Sequence, residues 1–246
     1  MSYYFNINYV FEHDEIHRLI DVSTKGYICV ADGTIMRYVH KDLEYRKIVN
    51  NSLFSISDSS WTPIFLKWIY GIDAEAYPGP QLFLDIIKKK KYRMFFMGSN
   101  QRVLDSLKTE LSKIDENVSN MTFFELPFCD VENFDYKGIA KIVNEDNPHI
   151  IWVALGAPKQ EIFMSKLEPY LNNGIQIAVG AAFTFFSGLG RSKRAPFWIR
   201  KMKLEFLYRV FQEPKKQGRR CYEHIKVLPS ILMSEIKKKK NNSLHC

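Results

Sequence analysis

The segment Trp152-Val153-Ala154-Leu155-Gly156-Ala157-Pro158-Lys159-Gln160-Glu161 has residue types suited to holding a phosphate. An apolar strand ends in glycine, and Pro158 suits the first turn of a helix, where its missing N–H costs nothing. The free N–H groups and positive dipole end of that helix favour an anion. Lys159 can add a point charge, and Gln160 can bind a sugar hydroxyl or a uracil edge. The same residues also describe a plain strand–turn–helix junction, and physics alone weighs the two equally.

Two further blocks follow. In Val179-Gly180-Ala181-Ala182-Phe183 a glycine again succeeds a strand, with Gly188, Gly190 and Arg194-Ala195-Pro196 behind it. The Arg194 guanidinium can clamp a pyrophosphate bidentately, or cap a helix end or form a surface ion pair. In Leu204-Glu205-Phe206-Leu207-Tyr208-Arg209, Glu205 and Arg209 stand four apart and can pair on a helix. Glu213-Pro214 and Gly218-Arg219-Arg220 come next, the two arginines being available to phosphate or lipid.

The elements that must position these residues alternate. Strands are expected at Tyr27–Ala31, Ser52–Ser57, Tyr92–Met97, Thr122–Leu126, His149–Leu155 and Ile175–Val179, short runs rich in Ile, Val and Phe. Between them, Leu104, Leu107, Leu111 and Ile114 share one helical face, and Ile139, Ile142 and Val143 repeat the pattern. Such alternation predicts an α/β fold, a parallel sheet with helices on both faces. Ligands bind beyond the carboxyl ends of such strands. That directs attention to Asp32-Gly33-Thr34, Asp58-Ser59-Ser60, Gly98-Ser99-Asn100, Gly156–Glu161 and Gly180–Phe183. Asp58 read by itself is a helix N-cap. Asp73, Glu75 and Asp85 flank the loop Tyr77-Pro78-Gly79-Pro80.

After about residue 200 the strands stop and short amphipathic helices are expected, broken at Pro214 and Pro229. We divide the chain into an α/β domain over 1–199 and a helical basic appendage over 200–246. The appendage holds thirteen Lys/Arg and four Glu, net +9, whereas the first 199 residues hold 22 basic and 23 acidic side chains, net −1. A tail so charged seeks phospholipid, nucleic acid or pyrophosphate. Because Lys237–Lys240 is a terminal run beside amphipathic helices, an anionic membrane surface is expected and nucleic acid is not.

The four cysteines lack Cys-x-x-Cys spacing, and the six histidines lack metal-ligand spacing. We expect a reducing cytoplasm and no structural metal. The N-terminus does not read as a signal peptide, and no run approaches the ~20 apolar residues of a membrane span. A dinucleotide-binding oxidoreductase would need Gly-x-Gly-x-x-Gly after the first strand; Ala31-Asp32-Gly33-Thr34 does not match.

Taken in order, the three blocks from Trp152 to Arg220 resemble the WecG/TagA/CpsF family, glycosyltransferase family 26. The match consists of Gly-x-Pro-x-Gln-Glu, Val-Gly-x-x-Phe, Arg-Ala-Pro and Leu-Glu-x-x-x-Arg…Glu-Pro…Arg-Arg. The resemblance implies a Rossmann-like sheet without a metal-binding Asp-x-Asp, hence no cofactor. It also implies a UDP-sugar donor, an acceptor sugar on polyprenyl diphosphate and inversion at the anomeric carbon. The product would feed a cell-envelope polymer: capsule, exopolysaccharide, O-antigen or teichoic-acid linker. The enzyme would be cytoplasmic, peripheral on the inner face of the plasma membrane, and self-associating. Inverting transfer needs a carboxylate base. Counting from Lys41–Arg46, which matches a family helix, places Asp58 on the family's catalytic Asp-Gly turn, with Asp32 as the alternative. Asp32, Gly98, Gly156, Pro158, Lys159, Gln160, Glu161, Gly180, Phe183 and Arg194 are assigned to the donor. Arg209, Arg219 and Arg220 are assigned to acceptor, pyrophosphate or membrane, closing over the donor at the membrane. Val30, Asp32, Ser59 and Thr184 depart from the family pattern and bear on sugar specificity.

Overall fold

The computed structural model describes residues 2–189 and 205–243, together with residues 196 and 199. Eight strands form one sheet in the order β1-β2-β4-β3-β8-β7-β5-β6. The strands are β1 (Ser2–Tyr4), β2 (Ile7–Tyr9), β3 (Lys25–Ala31), β4 (Phe54–Ser57), β5 (Met94–Gly98), β6 (Thr122–Phe124), β7 (Ile150–Ala154) and β8 (Gly174–Ala178). All neighbours are parallel except the β1–β2 hairpin. Strands β5 and β8 are buried along their whole length, which is why β5 reads as an unbroken apolar run, while β8 is interrupted only by the buried Gln176, whose amide donates to the Met164 carbonyl at 3.0 Å.

Helices cover both faces. Side chains alternate across the sheet, so Val30, Phe96, Trp152 and Ile177 enter one core and Cys29, Phe95, Val153 and Ala178 the other. The first core is roofed by α1 (His13–Val22), α5 (Gly79–Lys88), α6 (Gln101–Ser112) and α9 (Ala182–Phe186). The second is roofed by α2 (Gly33–Lys41), α3 (Leu43–Asn50), α7 (Tyr136–Asp146) and α8 (Lys159–Leu167). Strand ends differ from expectation by one or two residues, as at β4 and β5, where the apolar run overshoots the ladder.

The β1–β2 hairpin has no counterpart in the sequence reading. Its turn, Phe5-Asn6, takes φ of 52° and 61° without a glycine. Phe5 is buried in a third core with Met36, Leu66, Ile69, Val227 and Ile231, so packing holds a turn that local chemistry does not advertise.

That third core also corrects the tail. Helix α4 (Trp61–Tyr70) and the C-terminal helices α10 (Glu205–Gln212) and α11 (Pro214–Ser243) follow the sheet elements. The expected break at Pro229 does not occur: α11 runs 30 residues with Pro229 inside it. An interior proline costs about 3 kcal/mol. Val227 and Ile231, on either side, are buried against α2 and α4 and offset that cost. Tyr70 donates to the buried Glu235 at 2.9 Å, and Arg37 pairs with Glu223, so the helix is fastened between α2 and α4.

Candidate functional site

Strands β3 and β4 end level, with Ala31 paired to Ser57. The next residue of each is an aspartate, and the Asp58 N–H donates to the Ala31 carbonyl at 3.1 Å. The two carboxylates then diverge in role. Asp32 is the N-cap of α2, its Oδ1 accepting from Thr34 and Ile35 N–H at 2.8 and 3.0 Å. Asp58 does not cap α4, whose N-cap is Ser60, without a side-chain cap bond. Its Oδ1 instead accepts from Gly79 N–H at 2.8 Å, at the start of α5, where negative charge is favoured.

Gly79 is held in turn by Tyr77. The Tyr77 N–H donates to the Ser57 carbonyl at 2.9 Å, and its hydroxyl donates to Asp85 Oδ2 at 2.9 Å. His17 Nε2 lies 2.9 Å from that hydroxyl, and His13 stacks on the ring at 4.1 Å. With the phenol O–H directed at Asp85, the Nε2–H tautomer of His17 donates to the phenol oxygen and completes the set. Asp85 is therefore engaged behind the loop, while Asp73 pairs outward with Lys67 at 2.6 Å.

Asp32 and Asp58 share a cavity of about 480 Å³ with Pro78, Pro80 and Trp61. Its other wall belongs to α11, through Gln217, Arg220, Cys221, His224, Ile225 and Leu228. His224 is absent from the sequence reading. Its ring lies against Gly33, where an added Cβ would come within 3.0 Å of Cγ and Nδ1. Burial pulls the His224 pKa below the ordinary histidine value, against the pull of Asp32. Arg220 and His224 stand four apart on one face of α11, so the helix carries both to the cavity wall. Arg219 points elsewhere, its side chain 82% exposed and paired to Glu223 at 3.1 Å. Arg194, and the side chain of Arg209, lie outside the described residues.

The glycine loops continue along the same sheet edge, beyond β8, β7 and β5. Gly98 has φ of 110°, and a Cβ there would sit 2.7 Å from the Ala154 carbonyl oxygen, so no larger residue fits. Gly156 has φ of 78° and faces open space, with nothing within 4 Å of a Cβ position. Pro158 sits one residue earlier than expected, before Lys159, and the Ala157–Pro158 bond is cis. The Lys159 ammonium donates to the Cys129 carbonyl and lies 5.0 Å over the Phe134 ring.

Gln160 and Glu161 are buried, at 4% and 0% exposure. Gln160 Oε1 accepts from Gly156 N–H at 3.0 Å, and its Nε2 donates to Glu161 Oε1 at 2.8 Å. Tyr45 donates to Glu161 Oε2 at 3.0 Å. The Gln160 amide thus links the Gly156 loop to Glu161, and a Cβ on Gly180 would lie 3.7 Å from Gln160 Oε1. Phe183 is 1% exposed, with ring centroids of Phe83 and Phe96 at 5.9 and 6.1 Å. It packs in the core beneath the loop.

Burial pushes the Glu161 carboxyl up to about 7, against hydrogen bonds from Gln160 and Tyr45 that lower it. The folded state then holds a proton that the unfolded chain releases near pH 4.5. Stability is full below that pH, falls as pH rises towards 7, and carries a constant penalty above, roughly 3 kcal/mol by linkage. Glu161→Gln keeps an acceptor for Gln160 and offers its amide to the Tyr45 oxygen without a charge. Urea unfolding at pH 5 and pH 8 is expected to show the variant gaining on the native protein as pH rises. A difference independent of pH would mean that Glu161 does not titrate in this range.

The family model described as the Glycosyl transferase WecG/TagA/CpsF family matches residues 6–242. Among curated relatives, the N-acetylglucosaminyldiphosphoundecaprenol N-acetyl-beta-D-mannosaminyltransferase of Bacillus subtilis (strain 168) is 27% identical over 247 residues, covering 96% of this chain and 91% of the relative. The enzyme of the same name from Staphylococcus aureus (strain MW2) is 25% identical over 217 residues, covering 87% of this chain and 80% of the relative.

Proposed function

The chain belongs to the WecG/TagA/CpsF glycosyltransferase family, and we propose that it moves a sugar from a UDP-sugar onto a saccharide carried by polyprenyl diphosphate, with inversion. The reaction serves cell-envelope polysaccharide synthesis. The observation that carries this reading is the Asp58 carboxylate, set beside Asp32 in a cavity that α11 walls with Arg220.

In this mechanism the acceptor hydroxyl attacks the anomeric carbon as the carbon–oxygen bond to the diphosphate breaks. Asp58 takes the hydroxyl proton and later yields it to solvent. UDP leaves with the bonding electrons. The Gly156 loop and the N-terminal end of the α8 dipole face the diphosphate, and Gln160 and Glu161 act through that loop rather than by touching the sugar. Arg220 adds positive charge from the α11 wall, and no metal cofactor takes part. Asp32, fixed as a cap, borders the donor sugar. Residues 1–199 carry donor and base; residues 200–246 complete the cavity and bring the protein to the inner membrane face as a peripheral protein. Among the described residues no helix is long and apolar enough to cross a membrane.

A panel of UDP-sugars, UDP-N-acetylmannosamine first, with a short-chain diphosphate-linked N-acetylglucosamine acceptor tests the reading. Acceptor-dependent UDP release is expected with one donor. Release that ignores the acceptor, or none with any donor, would overturn it.

A further inference from the structure

Tyr77 is buried and does not line the Asp58 cavity, although its neighbours Pro78 and Pro80 do. Its polar atoms reach three elements. Its N–H donates to the last carbonyl of β4, Ser57, one residue before Asp58. Its hydroxyl donates to Asp85 on α5, whose other carboxylate oxygen accepts from Gln81 Nε2 at 2.8 Å. His17 of α1 approaches the phenol oxygen with Nε2, and His13, one turn earlier, lies nearly flat on the ring at an interplanar angle of 21°.

Helix α1 is itself firm. Ile16 and Ile20 are buried in the first core, and Asp21 pairs with Lys91 at 2.7 Å and accepts from the Tyr92 hydroxyl. Contacts therefore run from the core through α1 to Tyr77, and from Tyr77 across Pro78 to Gly79. Gly79 has little latitude on its other side, where a Cβ would come within 3.0 Å of Val30 Cγ1. Its N–H holds Asp58 Oδ1 at 2.8 Å.

Stability alone does not call for this arrangement. His13 Nε2 and His17 Nδ1 are buried without a hydrogen-bond partner among the described residues, and buried unpaired polar atoms destabilise a fold. Apolar side chains of similar size would fill the space without that penalty. What the imidazole and the carboxylate supply instead is direction, since a phenol oxygen that donates to Asp85 and accepts from His17 is held from two sides. We propose that Tyr77 is a positioning residue for the general base: held by His17, His13 and Asp85, it sets the 77–80 loop so that Gly79 N–H aims the Asp58 carboxylate at the acceptor hydroxyl. The inference rests on the transferase reading for the task of Asp58. It adds to the apparatus a helix, α1, none of whose residues lines the cavity.

The test is a mutant cycle on the full-length protein. Tyr77→Phe keeps the ring against His13 and removes only the oxygen. Its kcat is expected to fall roughly tenfold, with donor KM within about twofold, because a displaced base loses rate steeply. Placed on Asp58→Asn, the same substitution should lower kcat by less than about twofold, since no base remains to be positioned. His17→Leu should reproduce Tyr77→Phe, and His17→Gln, whose amide nitrogen can stand in for Nε2, should recover most of that loss. Denaturant midpoints show whether each variant folds, and the two His17 variants decide the matter if Tyr77→Phe does not.

The Gly79 amide gives a readout independent of turnover. Pro78-Gly79 is the only Pro-Gly pair in the sequence, so isotope labels on the proline carbonyl and the glycine nitrogen give that amide a single NMR correlation. It should move in Asp58→Asn, which alters its acceptor, and in Tyr77→Phe, which leaves the acceptor intact. A Gly79 amide unmoved by Tyr77→Phe would overturn the proposal, as would a native kcat in that variant. So would a fall in kcat that multiplies undiminished on Asp58→Asn, which would make the role of Tyr77 general packing. Failure of the transferase reading looks different: no UDP release from a native protein whose Gly79 amide still answers to both substitutions.

Discussion

Asp58→Asn is expected to lower kcat by roughly 10²–10⁴-fold, the usual contribution of a positioned general base. The substitution is nearly isosteric, and an amide oxygen can still accept from Gly79 N–H, the bond that fixes this side chain at 2.8 Å. The loop over Pro78 and Pro80 should stay in place, and donor KM should change little. What disappears is the capacity to take a proton. Asp32→Asn supplies the contrast. Its Oδ1 is spent on Thr34 and Ile35, a duty an Asn carbonyl can also perform, so α2 keeps its cap. That variant should keep a measurable part of kcat, with its larger effect on donor KM. Parallel kcat and KM values from UDP release decide the matter. A dead Asp32→Asn beside an Asp58→Asn within threefold of the native rate would transfer the base to Asp32.

Phe183→Ala is expected to cost about 3–5 kcal/mol of stability. The ring is 1% exposed and packs with Phe83 and Phe96, and Phe83 in turn meets Trp152 edge-on at 4.8 Å. Removing it leaves a void under Gly180 that a sheet buried on both faces has little freedom to close. Denaturant midpoints measure the loss. The donor KM of the protein that remains folded should be near the native value. An unchanged midpoint with a raised KM would mean that Phe183 meets the donor after all.

The parallel part of the fold was legible because most of its strands are buried on both faces and leave short runs dominated by Ile, Val and Phe. Their ends were legible because Asp32, Asp58, Gly98, Gly156 and Gly180 are the residues that such ends require. Chemistry inside the loops was less so. Gln160 and Glu161 look like ligand residues by type, yet their side chains turn inward to Gly156 and Tyr45. Residue type does not reveal which polar groups a loop consumes for itself. The β1–β2 hairpin hid behind a turn without glycine, held by the burial of Phe5. The unbroken α11 hid behind Pro229, because a local penalty of about 3 kcal/mol was weighed without the tertiary contacts that outweigh it. His224 needed the third dimension outright: nothing local to residue 224 announces Gly33 as its neighbour.

The sheet order has a consequence for how the protein is made. Strand β3 lies between β4 and β8, and β8 is also the partner of β7. On the ribosome, β3 and β4 emerge early and can pair, while β5, β6 and β7 can assemble as a second group. No strand of one group pairs with a strand of the other until Gly174–Ala178 arrives and closes both open edges at once. Until then each half carries an unpaired apolar strand edge, the template on which chains aggregate. Translation that stalls between β7 and β8 would leave two half-sheets bridged by helix packing rather than strand pairing, as by α5 through Gly79 on one side and Phe83 on the other, with both strand edges still open.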